Sequence, residues 1–87
     1  MLITLEMTKD LLNENFDKAR DNESPFVFVS IVAEGTAEVI AIPEESFDAK
    51  EQFYDRVYND DLVHVMNSKV YIQAVTHGHA EELNNLI

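Results

Sequence analysis

The clearest pattern in the chain is the run FVFVSIVA at Phe26–Ala33, apolar on both faces and interrupted only by Ser30. Its β-branched and aromatic residues predict a strand, and two apolar faces predict a central one. Glu34-Gly35 follows as a two-residue turn, with Gly supplying a positive φ. Residues 36–42 then return as the second strand of a hairpin, and Pro43 ends it.

Before this hairpin, Leu12, Phe16 and Ala19 recur at i, i+4 and i+7, the stripe of an amphipathic helix. Thr8 suits its N-cap, and the helix should run to about Arg20. Asp21-Asn22-Glu23-Ser24-Pro25 breaks it, since proline disfavours the α conformation of the residue before it. After Pro43 a second helix is expected over residues 47–59, capped by Ser46, with Phe47, Phe53, Tyr54, Val57 and Tyr58 as its apolar face. Residues 62–66 and 69–75 read as another hairpin across Asn67-Ser68. Val70, Ile72 and Ala74 share one side of its second strand, and Thr76-His77-Gly78 is a break. The alternation at Ile3, Leu5 and Met7 predicts a short strand, and residues 80–86 predict a short helix docking through Ala80, Leu83, Leu86 and Ile87. The expected order is (β)αββαββα. This is an α+β domain with an antiparallel sheet of two hairpins and its two main helices on one face.

Eighty-seven residues support one domain, because two would each be too small for a core. A hydrophobic content of 46% places the chain among folded proteins, despite 17 Asp and Glu against 6 Lys and Arg. The resulting charge of -11 opposes compaction by self-repulsion, so added salt or mild acidification should raise the melting temperature. Six dispersed cations provide no basic surface for DNA or RNA and nothing to attract an anionic membrane. The first residues lack the basic and long apolar regions of a signal peptide, and no stretch approaches the roughly 20 apolar residues of a membrane span. The expected location is the cytoplasm.

The acidic residues are patterned. Asp10, Glu14, Asp17 and Asp21 fall at i, i+4, i+7 and i+11 in the first helix, and Glu44, Asp48, Glu51 and Asp55 repeat those intervals in the second segment. Such spacing puts each set on one helical face, with a carboxylate about every 5–6 Å. Solvated faces of amphipathic helices carry charge as a matter of course, but they usually mix both signs. The stripes are therefore the candidate contact surface for a protein partner with a basic groove. The small, acidic, Cys-free composition resembles that of phage-encoded anti-restriction and anti-CRISPR inhibitors that mimic DNA, although no motif accompanies it.

Chemistry is poorly represented. The absence of Cys removes disulfides, thiolate nucleophiles and Cys-ligated metals. His77-Gly78-His79 is the one local pair of histidine ligands, with Glu81 and Glu82 close by and His64 on an expected strand, and its spacing fits no recognised zinc motif. Ser30, His64 and Asp61 could be drawn as a triad, but no nucleophile elbow supports it. Gly35 and Gly78 cannot make a glycine-rich phosphate loop. The expectation is a non-enzymatic protein without cofactor or metal, acting by protein–protein contact. Its alternatives are a DNA-mimic inhibitor and an assembly homodimer formed where a second copy completes the doubly apolar strand.

Overall fold

The structure is a computed structural model that describes residues 8–81. The strand expected at residues 3–7 and most of the helix expected at residues 80–86 lie outside the described residues. Within them the order is α1 (Lys9–Asp21), β1 (Phe26–Ala33), β2 (Thr36–Pro43), a 3-10 turn (Glu44–Ser46), α2 (Phe47–Val57) and β3 (Val70–Gly78). The strands form one antiparallel sheet in the order β2-β1-β3, so β1 is central as its two apolar faces require. The fold is the expected α+β arrangement.

α1 starts where Thr8 Oγ1 accepts the amide of Leu11 at 3.3 Å. It ends in a paired closure, with Glu23 N–H donating to the Arg20 carbonyl and Ser24 N–H to that of Ala19. Glu23 takes the left-handed position, φ 54°, that glycine usually fills. The β1–β2 turn places Glu34 at φ 51° and Gly35 at φ 86°, the two positive values that let a two-residue turn follow the twist of its strands.

Leu12, Phe16 and Ala19 of α1 meet Val27 and Val29 of β1, Ile42 of β2, Ile72 of β3, and Phe47 and Tyr54 of α2 in one core. The Phe16 and Phe47 rings pack edge to face at 5.7 Å and join the two helices. Both helices therefore cover the same sheet face. On the opposite face Phe28 and Ser30 are each only 2% exposed, and Ser30 Oγ accepts a hydrogen bond from Gln73 Nε2 at 2.8 Å. Among the described residues no helix is long and apolar enough to cross a membrane.

Several expectations need correction. Ser46 makes no side-chain cap; it ends the 3-10 turn that Pro43 introduces, and α2 stops at Val57. On α2, Phe53 is 40% exposed, so the buried aromatics are Phe47, Tyr54 and Tyr58. Residues 62–66 form no strand. Asn59 Oδ1 accepts the amides of Asp61 and Val63, which folds the segment into a tight loop and turns fully buried Leu62 inward at φ 60°. Of the second hairpin there remain the Val63–Tyr71 bridge and the backbone hydrogen bonds from Ile72 N–H to the Leu62 carbonyl and from His64 N–H to the Val70 carbonyl. Finally, β3 continues through Thr76, His77 and Gly78, because Phe28, Val27 and Phe26 still offer partners there. A register shift between Ser30 and Ile31 leaves Gln73 as an extra residue, and Ala74 pairs with Ser30 on the face opposite Ile72.

Candidate protein-interaction face

α1 and α2 lie side by side and run in opposite directions, and cations at both ends of α1 tie them together. Arg20, in the last turn of α1, donates through Nη2 to Asp48 Oδ1 and to Glu51 Oε1, both at 2.7 Å, and through Nη1 to Asp17 Oδ1 at 3.1 Å. One guanidinium thus gathers carboxylates from both helices, using the several donors of its planar fork. Lys9, at the other end of α1, donates to the Asp55 carbonyl at 2.9 Å and lies 3.6 Å from Asp55 Oδ1. A cation there also suits the negative end of α2. Burial works against charge on Arg20, and its hydrogen bonds and attraction to Glu51 and Asp48 outweigh it, so its pKa is raised and it stays protonated.

The two acidic sets are therefore unequal. Asp10, Glu14, Asp17 and Asp21 are all exposed on α1, on the side opposite Leu12, Phe16 and Ala19. Glu14 pairs with Lys18 at 2.9 Å, the favourable order for an i,i+4 pair. In the second set Asp48, Glu51 and Asp55 occupy the flank of α2 that faces α1. Glu51 keeps 23% of its side chain exposed, against 85% for Asp48. Glu44 is not on α2. It belongs to the 3-10 turn, where its amide donates to the Pro25 carbonyl at 3.1 Å. Between the helices runs an open groove of about 740 Å³, lined by Asn13, Ala49, Glu51, Gln52, Asp55 and Arg56.

Arg20 and Lys9 were not among the sequence-based site residues. Their signal was available: on a helical wheel both fall on one flank of α1, between the buried and the acidic stripes. Which neighbour would stand beside that flank could be known only from the fold.

His77 and His64 make local side-chain contacts. Ser24 Oγ and His77 Nδ1 lie 3.1 Å apart and link the end of α1 to β3. His64 Nδ1 accepts the Met66 amide at 3.0 Å, and its ring meets Tyr58 edge to face at 5.5 Å. His79 is exposed. Among the described residues no group of three His, Asp or Glu is arranged to hold a metal ion. With Ser30 bonded to Gln73 and His64 to its own turn, the sequence-drawn triad of Ser30, His64 and Asp61 is not assembled by these bonds.

No protein-family model matches the chain, and neither the curated proteins nor the solved structures include a significant match to it.

Proposed function

We propose that this protein is a non-enzymatic binding protein whose acidic two-helix layer docks on a basic surface of a protein partner. One observation carries the reading: α1 and α2 share a layer, so the outward row of Asp10, Glu14, Asp17 and Asp21 continues into Asp48 and Asp55 as a single face. Arg20 joins the two rows at one end and leaves most of their carboxylates in water, where they steer association more than they stabilise the fold. The carboxylate spacing along α1 is comparable to that of phosphates on a nucleic-acid strand, which favours a nucleic-acid-binding protein as the partner class. A homodimer built on the far face of β1 has less to recommend it, since Phe28 and Ser30 are already buried in the single chain.

The test is a pull-down from the native host with the wild type and with the triple variant Asp10→Lys, Glu14→Lys, Asp17→Lys. The expected result is a stoichiometric partner that the variant loses and that DNA displaces, with an unchanged circular dichroism spectrum. A partner retained by the folded variant would overturn the assignment to this face. A partner lost by the variant but indifferent to DNA would remove the mimicry and leave the face.

A further inference from the structure

The two edges of the sheet are treated differently. The outer edge of β3 is partly occupied: Ile72 N–H donates to the Leu62 carbonyl at 2.9 Å and His64 N–H to the Val70 carbonyl at 2.8 Å. Among the described residues nothing pairs with the outer edge of β2. That edge is eight residues long, and its register with β1 runs unbroken from Phe26–Pro43 to Ala33–Thr36, so no bulge twists it away. Its sequence, TAEVIAIP, has no Lys, and its proline stands only at the end. Natural sheets blunt such an edge with bulges, charged side chains or internal prolines, because its N–H and C=O groups are a template for another strand. Within β2 the one such device is Glu38, on the helix-facing side, which disfavours an acidic or apolar guest there but not a basic one.

A second observation concerns what overhangs this edge. α2 lies over β2, and its pairs with Arg20 and Lys9 fix which flank meets α1. By helical periodicity Lys50, Phe53 and Val57 fall on the opposite flank, away from α1 and on the outer side of β2. Phe53 is one of the few large apolar residues left exposed, and Val57 and Ile40 are only partly buried at the rim of the core. A strand added to β2 would find an apolar shelf above it. A guest strand also alternates its side chains, so those on the helix side would lie beside Ile40 and Glu38 in turn.

We propose that the outer edge of β2 accepts an extended segment of a partner protein as a fourth strand, with apolar residues and Lys or Arg alternating on the guest's helix-facing side. The charge selects the occupant. Glu38 lies within β2, and Glu34, Glu44 and Glu45 stand just beyond its ends. A second copy would add its own -11 to the same edge, whereas a basic segment is attracted to it. Backbone hydrogen bonds supply affinity, and the Ile40–Phe53 shelf and Glu38 supply selection. This site is separate from the acidic layer and does not rest on it.

The probe is a synthetic peptide that alternates Thr with Lys and Ile, compared with the same peptide N-methylated along one backbone edge. The two have equal charge and side chains, and only the first can pair. The full chain should bind the unmodified peptide about tenfold or more tightly, the worth of two or three backbone hydrogen bonds. Amide shifts and new hydrogen-exchange protection should centre on residues 36–43. Ala37→Lys with Ala41→Lys, both at exposed positions, should abolish that difference, and Phe53→Ser should weaken binding. The triple reversal at Asp10, Glu14 and Asp17 should leave the β2 shifts in place, so failure of the acidic face and failure of this edge are read separately. Equal affinity for the two peptides, or shifts confined to α1 and α2, would overturn the proposal. So would a free chain that sediments as a dimer with its β2 amides already protected.

Discussion

On α1 the carboxylates point away from the core, opposite Leu12, Phe16 and Ala19, and meet mostly water. On α2 Asp48, Glu51 and Asp55 repeat the +3 and +4 intervals of Glu14, Asp17 and Asp21 but fall on the flank beside α1, where Arg20 and Lys9 pair with them. Identical intervals thus yield a solvated surface on one helix and a structural seam on the other. What differs is the angle between the acidic stripe and the apolar one. A stripe opposite the core has no neighbour, whereas a stripe beside the core faces the next helix in the layer. Spacing alone says that carboxylates share a face; it does not say what the face meets.

The helices differ in their buried groups as well, and the largest expected effect tests that difference. α1 buries only apolar side chains, whereas α2 buries Tyr54, whose hydroxyl has no hydrogen-bond partner among the described residues. Loss of solvent, with Tyr58 nearby, pushes the Tyr54 pKa up to about 12. The folded state therefore holds its proton longer than the unfolded chain, whose tyrosines titrate near 10. The stabilisation is complete below pH of about 10 and is lost as pH rises through about 12, up to roughly 2–3 kcal/mol. Urea unfolding across that range should show the fall, and Tyr54→Phe should remove most of it without harm at neutral pH. An equal alkaline loss in the variant would show that this group does not set the limit.

Arg20→Ala comes next. Removing the guanidinium strands half-buried Glu51 beside Asp48 and Asp17, at a cost of roughly 1–2 kcal/mol. In double-mutant cycles Arg20 should couple more strongly to Glu51 than to exposed Asp48, because solvent screens the latter. Equal couplings would mean that the seam behaves as an ordinary surface pair.

The smallest effect belongs to the outer row of α1. Asp21→Asn, at the C-terminal end of α1, should raise stability by up to about 0.5 kcal/mol, and Asp10→Asn should change it by less than about 0.5 kcal/mol, because relief of repulsion is offset by loss of a carboxylate from the first turn. The gain should shrink between low and moderate salt, when measured by melting temperature. A large loss from either variant would show that this row is structural too, and the contrast between the helices would fail.

Much of this was legible in the chain. Thr8, the Leu12–Phe16–Ala19 stripe, the bounds of β1 and the Glu34-Gly35 turn are local signals, each settled by a capping group, a period or a positive φ. The second half was less legible. There Asn59 captures two amides of its own loop and Leu62 adopts a left-handed turn into the core, so an apolar run that reads as a strand becomes a plug. The Gln73 bulge was equally hidden, because it depends on a partner strand 43 residues away at Ser30.

The sequence by itself determined the sign and density of the charge, the two amphipathic helices and the central strand, because composition, period and turn chemistry act within a few residues of one another. Only the tertiary structure decided which carboxylates face water and which face Arg20, and which sheet edge stands unpaired among the described residues. Those outcomes depend on helix neighbours and strand order, which arise from packing between residues far apart in the chain and leave no mark on local spacing.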